Sequence, residues 1–171
     1  MKNILNQDMK EVIAAQRLCF AATVTPDGLP NLSPKGTIRV WDDDHLFFCD
    51  IASPGTRRNV DANPWIELNV VDTISRRGYR FFGRATLHMD DDVYRAATAR
   101  VFSEEGMTYN VRSVVLIEVE RALPLTSPGY DHVADEWEMR ALWKERHAHL
   151  DAAFERHIEN CGPLQGKKYN V

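Results

Sequence analysis

The sequence lacks any apolar run approaching the roughly 20 residues that a membrane-spanning helix needs, which excludes a helical membrane protein. Its N-terminus, "MKNILNQDMKEV", also lacks the uninterrupted apolar core of a secretory signal, so the cytoplasm is the expected compartment. Cysteine is scarce. Cys19, Cys49 and Cys161 have no metal-type spacing, and three cannot all pair in disulfides, so reduced thiols are expected, two of them packed in the core. Positive charge is not in excess either: a formal net charge of -4 and a pI near 5.9 give a mean field that repels nucleic acid and acidic membranes. Any anion must therefore be bound by a local cluster. No internal repeat or low-complexity linker interrupts the 171 residues, and one domain spanning 1–171 is expected.

What is present is a run of short strands framed by helices. Asp8 followed by Glu11 has capping-box spacing, with Met9, Val12 and Ile13 as an apolar stripe, and predicts a helix over 9–17. "CFAATVT" is a strand ending at the turn "PDG", "LPNLSPKGTIRVW" resumes an extended pattern, and "HLFFCDI" follows the polar turn "DDD". Ser53 as N-cap, Pro54 at the first helical position and Asn63-Pro64 as a stop make "SPGTRRNVDANP" a helix of two turns. "WIELNVV" and "YRFFGRATLHM" are further strands, with Gly83 marking a bulge or bend. Asp90 to Asp92 cap a helix that Gly106 closes, and "SVVLIEVERALPLT" is a sixth strand. Residues 135–157 form one long helix with Trp143, His147, Leu150, Phe154 and Ile158 at spacings of three and four, and the tail "GPLQGKKYNV" has no pattern. Short links between the early strands require antiparallel pairing. The expected class is mostly antiparallel β, a closed or split barrel with peripheral helices.

Three segments could carry chemistry. Arg57 and Arg58 fall in the first turn of the short helix, where the dipole disfavours a cation by roughly a few tenths of a kcal/mol. The free amides there favour an anion, and two guanidiniums with the Thr56 hydroxyl complete a donor set that suits a phosphate monoester. Alternatively both arginines face solvent, or pair with Asp61 and Glu67. In "SPKG", Ser33 to Gly36, proline and glycine interrupt a strand and let a backbone approach something flat, with Lys35 adding a cation; the alternative is an edge strand with a bulge. In "SRRGYRFFGRA", Gly78 and Gly83 bracket Tyr79, Arg80 and Phe81, which could line a cationic, aromatic groove or simply divide between core and solvent.

Taken in order, "SPKG", "CDIASPGTRRN" leading to "ANP", and "RRGYRFFGRA" resemble the flavin mononucleotide (FMN)-binding split barrels related to pyridoxamine 5'-phosphate oxidase. The resemblance runs from about residue 18 to 119, and the barrel it implies covers about 18–126. By this resemblance Ser33, Pro34, Lys35, Gly36 and Thr37 lie along the flavin ring and ribityl chain, and Cys49 and Asp50 continue the pocket. Thr56, Arg57 and Arg58 hold the phosphate, and Gly78 and Tyr79 border the ring from the same or the opposite subunit. Two subunits build each site in that family, so the resemblance implies a homodimer with two flavins and a small-molecule substrate.

The chain departs from the phosphate oxidase proper. The serine-arginine-lysine run of that enzyme falls, without gaps, on Pro54, Gly55 and Thr56, and its C-terminal arginine and histidine motif has no counterpart beside the helix "DEWEMRALWKERHAHLDAAFERH". Pyridoxamine phosphate is therefore not the expected substrate. No protein nucleophile is required, because the flavin ring carries the electron or hydride transfer. A Cys49–His pair has no specific support, and Glu145 with His149 on the long helix lack a third metal ligand, so no metal is expected. Two further readings stay open: a non-catalytic module, a sensor or carrier, that binds flavin, haem or deazaflavin, and a dimeric barrel without cofactor.

Overall fold

The computed structural model describes residues 2–162. Asn6 caps the first helix, α1 (Gln7–Gln16), by accepting from the Met9 amide at 2.9 Å. The helix thus starts before the Asp8 boundary expected from the capping-box spacing, and Asp8 instead accepts from the Tyr79 hydroxyl. Met9, Val12 and Ile13 are its buried stripe, as their spacing requires. Strands β1 (Cys19–Val24) and β2 (Pro30–Lys35) follow, joined through the "PDG" turn. The extended run expected up to Trp41 breaks at Gly36 and Thr37, and only Arg39–Val40 (β3) resumes it. The cause is local: Thr37 Oγ1 accepts from the Cys49 amide at 2.9 Å and donates to the Cys49 carbonyl at 3.1 Å, turning the chain out of β2.

Next come β4 (His45–Asp50), α2 (Pro54–Ala62), β5 (Trp65–Asp72), β6 (Arg77–His88), α3 (Asp92–Glu105) and β7 (Ser113–Thr126). Asp91 caps α3 through the Tyr94 amide, and Gly106 closes it with a left-handed φ of 66°, where a β-carbon would be strained. The strands form one sheet in the order β2-β1-β5-β6-β7-β4-β3, with β1 antiparallel to β2 and β5, and β4 antiparallel to β3 and β7. This order forces curvature. Laid flat, seven strands at about 4.8 Å spacing would put β2 and β3 roughly 29 Å apart. Lys35 and Arg39 are joined by four residue steps, which reach about 14 Å at most. The sheet therefore curls, bringing the ends of its two edge strands within about 14 Å of each other, as in the split barrel that the strand order predicted.

Contacts divide the chain into two compact units, one of residues 1–71 with 78–125, the other of residues 72–77 with those from 126 onward. In the first unit β4 is buried on both faces, which explains why "LFFC" is a continuous apolar run rather than an alternating one. Leu46 and Phe48 enter the main core with Ile13, Ile66, Leu68, Phe81 and Ile117, while Phe47 and Cys49 pack with Ala97, Val101, Val111 and Val114 under α3. Gly83, expected at a bulge or bend, marks a close backbone approach: a β-carbon there would lie 2.1 Å from the Glu118 carbonyl oxygen.

In the second unit a 3-10 turn (Pro128–His132) precedes the long helix α4 (Glu136–Cys161). Asp72 accepts from the amides of Ile74 and Ser75 and from Arg140 Nη2 at 2.6 Å. Burial alone would raise its carboxyl, but these donors outweigh it and hold Asp72 below the usual carboxylate range. Trp143 lies under both Arg76, at 4.1 Å, and Arg146, at 4.9 Å. The Ile158 side chain and the tail beyond Gly162 lie outside the described residues. Among the described residues no helix is long and apolar enough to cross a membrane.

Candidate functional site

Lys35 ends β2 with only 4% of its surface exposed. Its ammonium donates to Ser33 Oγ at 2.9 Å, to Ser53 Oγ at 2.5 Å and to Thr56 Oγ1 at 3.2 Å. Ser53 precedes α2 and Thr56 lies in its first turn, so the lysine tip sits at the helix N-terminus. Ser53 makes no side-chain cap to the helix, its hydroxyl being taken by the lysine. All three partners are neutral. Burial pulls the Lys35 pKa below its ordinary value, opposed by the charge of Asp50 and then by Cys19. Asp50 is 1% exposed; its Oδ1 accepts from the Ser53 amide at 2.8 Å, while its Oδ2 is buried with no partner among the described residues. Ser113, paired with Asp50 across β4 and β7, also has a buried, unpartnered hydroxyl.

Beside this cluster opens a pocket of about 420 Å³. Residues 33–37 line it together with Cys49 and Ser53, so the structure gathers the whole "SPKG" segment and the end of β4 around one space. Asp50 and Thr56 are not on its wall; each touches it through Ser53 or Lys35. Two lining residues had no sequence signal at all. Glu105, at the end of α3, and Tyr109, in the loop after it, face the same pocket, and Tyr109 donates its hydroxyl to Glu105.

The remaining expected residues lie elsewhere. Arg57 is half-buried and Arg58 exposed, and both line a separate open groove of about 740 Å³ with Asp61, Leu87 and Met89. Among the described residues neither guanidinium has an ion-pair partner, and Glu67, the alternative partner, pairs with Arg80 at 3.1 Å. Gly78 is pressed against β5, where a β-carbon would fall 2.0 Å from the Val70 carbonyl oxygen. Tyr79 packs against the main core and donates to Asp8. Neither lines the pocket within this chain. The thiols of Cys19 and Cys49 are buried, and burial pushes them up to about 12 and about 11, so both are protonated at neutral pH and poor nucleophiles.

The donor set decides what the site can hold. A buried ammonium whose three N–H bonds go to neutral hydroxyls leaves its charge uncompensated at a helix N-terminus, a field that suits an anion. Behind the pocket wall, Asp50 Oδ2 and Ser113 Oγ have no partner among the described residues, and a buried water would satisfy them. A phosphate-bearing ring cofactor such as FMN fits this arrangement of anion-binding corner and adjoining pocket.

The pattern that defines the pyridoxamine 5'-phosphate oxidase family matches residues 5–125. No curated protein matches the chain. Among solved structures, HupZ of Group A Streptococcus is 35% identical with a TM-score of 0.65, over 72% of this chain and 95% of that one. An FMN-binding protein from Syntrophomonas wolfei is 12% identical with a TM-score of 0.59, over 70% of this chain and 84% of that one. An F420 reductase is 17% identical with a TM-score of 0.56, over 70% and 98%. At their identities the last two show the fold alone.

Proposed function

The chain belongs to the pyridoxamine 5'-phosphate oxidase family, and from that premise we propose that it binds FMN in the pocket beside Lys35 and acts as an FMN-dependent oxidoreductase on a small molecule. The observation that carries the proposal is the Lys35 ammonium held by Ser33, Ser53 and Thr56 at the start of α2. The α2 amides and the Ser53 hydroxyl, which lines the pocket and keeps its own proton while accepting from Lys35, hold the phosphate, and the Lys35 charge with Thr56 behind them attracts it. Arg57, half-buried in the neighbouring groove, adds attraction at longer range, and exposed Arg58 adds less. Residues 33–37 present backbone groups along the ring, and Thr37 fixes that segment by its two bonds to Cys49. When bound, the flavin supplies electron or hydride transfer, and the chain binds, orients and shields it. The F420 reductase that shares this fold makes a deazaflavin the second reading.

A homodimer is part of the proposal. On the outward face of β1 and β2, Phe20 pairs with Pro34, Ala22 with Leu32 and Val24 with Pro30, leaving an apolar surface on which Phe20 is 47% and Leu32 66% exposed. Such a contiguous apolar face is the ordinary mark of a protein interface, and a second copy covers it.

Purified protein is expected to be yellow, to release FMN on denaturation, and to bleach anaerobically with NADH or NADPH. Alanine at Arg57 and Arg58 should weaken FMN more than riboflavin, which lacks the phosphate. Colourless protein that takes up no added FMN or deazaflavin overturns the reading; flavin that neither NADH nor NADPH bleaches supports a binding module over a nicotinamide-dependent enzyme.

A further inference from the structure

The pocket beside Lys35 has a second wall, built by the end of α3, whose chemistry differs from the first. Arg39, only 3% exposed, donates from Nη2 to Glu105 Oε1 at 2.8 Å, from Nε to Glu104 Oε2 at 2.7 Å and from Nη1 to the Ile38 carbonyl at 2.8 Å. The other oxygen of Glu105 accepts from the Tyr109 hydroxyl. Of these side chains, Glu105 and Tyr109 line the pocket, whereas Glu104 does not. The phenol's proton is committed to Glu105. That bond, with burial second, raises the Tyr109 pKa, so the phenol stays protonated.

The wall therefore offers acceptors only. A carboxylate has about four lone-pair positions, of which Arg39 and Tyr109 use two, and the phenol oxygen keeps its own lone pairs. A wall of acceptors recognises N–H groups. Lys35 and the α2 N-terminus, on the other wall, recognise an anion. The ligand that satisfies both carries an anionic group and an N–H-bearing ring edge.

We propose that Glu105 and Tyr109 read the N–H edge of the bound ring, which for FMN is the imide N–H, and that Arg39 is the positioning residue that aims Glu105 at it. This rests on the flavin reading above. If the network served only to fasten α3 to β3, substitutions in it would change stability without changing which flavin is preferred.

The test is a titration of FMN and of 3-methyl-FMN, in which a methyl group replaces the imide hydrogen, into the full chain and four variants. A hydrogen bond to a charged group corresponds to a preference of about tenfold or more, so the unaltered protein should favour FMN by that factor. In Glu105→Gln the carbonyl must face Arg39, which turns an amide donor toward the ligand, and the preference should collapse to about twofold or less. Tyr109→Phe should reduce it partially. Arg39→Lys, which keeps the charge but cannot hold both carboxylates, should reduce it as Glu105→Gln does. Glu104→Gln, which loosens the same arginine away from the pocket, should keep it while lowering the melting temperature. Equal affinity of the unaltered protein for both flavins overturns the proposal, as does a Glu105→Gln variant that weakens both flavins with their ratio intact. Absence of any flavin binding is a separate result and overturns the FMN reading as well.

Discussion

Replacing Gly83 by alanine should lower the melting temperature by about 4–16 °C, and the magnitude follows from one contact. The added β-carbon would lie 2.1 Å from the Glu118 carbonyl oxygen, 3.0 Å from its carbon and 3.1 Å from Val119 Cα. Ordinary carbon–oxygen contacts between strands run at about 3.3–3.6 Å, so β6 and β7 must separate by about 1.2 Å. That displacement stretches the neighbouring ladder bonds past hydrogen-bond range. Each lost bond costs about 0.5–1.5 kcal/mol, and overpacking about 1–3 kcal/mol. The stiffer unfolded chain returns about 0.4–1 kcal/mol. With two ladder bonds lost and each contribution near the middle of its range, the net loss is about 2–4 kcal/mol, and a chain of this size loses about 2–4 °C per kcal/mol. Gly55→Ala is the control, because its added β-carbon meets nothing within 4 Å among the described residues beyond its chain neighbours and its own helix backbone, and it sits inside α2, so its melting temperature should hold or rise slightly. Thermal denaturation followed by far-ultraviolet circular dichroism reads both. A Gly83→Ala protein that melts within 2 °C of the parent, or a Gly55→Ala protein that falls as far, would refute the close-approach argument.

Three further outcomes are expected. Lys35→Met should weaken FMN by about 10–100-fold while changing riboflavin affinity little, since it removes the buried positive charge behind the phosphate site; parallel losses in fluorescence titrations would remove Lys35 from that role. Asp72 has a depressed folded pKa, so its contribution to stability is full above the ordinary carboxylate value of about 3.9 and is lost as pH falls through the lower folded value. Asp72→Asn should accordingly flatten the acid limb of a melting-temperature profile, and a limb of unchanged steepness counts against the assignment. Leu32→Glu places a charge in the centre of the exposed β1–β2 face and should halve the mass measured by light scattering; a mass unchanged from the parent rules that face out as the interface.

The parts of this fold that a sequence announces are those with local causes. Pro54 and Asn63 bound α2 because proline and cap geometry act within a turn, and Asp91 and Gly106 bound α3 for the same reason. The break at Gly36 was harder to place, because the bonds that turn the chain come from Cys49, twelve residues away. Asp8 looked like a cap because its spacing to Glu11 is correct; Asn6 wins the same role one half-turn earlier, and Asp8 has Tyr79 as a competing partner. The "SPKG" segment was legible as an interrupted strand, and the structure places it with Cys49 around one pocket. Glu105 and Tyr109 were not, since Arg39 reaches Glu105 across 66 residues and no pattern in a single sequence encodes that pairing. The two arginines were conspicuous because they are paired and charged, yet the cation at the helix N-terminus is Lys35, delivered from another strand.

The closure of the barrel and the proposed cofactor pocket have one cause. Three residues, Gly36 to Ile38, connect the two edge strands of the sheet, so the seam where the barrel closes must lie at the end of β2. A seam is where ladder pairing stops, and backbone groups there are free for a ligand, which a central strand could not offer. The same chain reversal delivers Lys35 to the start of α2 and pins Thr37 against Cys49. Proline at 34 is tolerated because β2 is an edge strand, and the alternative reading of "SPKG" as an edge-strand irregularity is thus compatible with its reading as a ligand wall. The edge position supplies the open backbone, and the turn supplies the cation. A substitution that restored regular pairing across residues 36–38 would have to uncurl the sheet first, so the pocket's geometry is set by strand order rather than by the pocket residues alone.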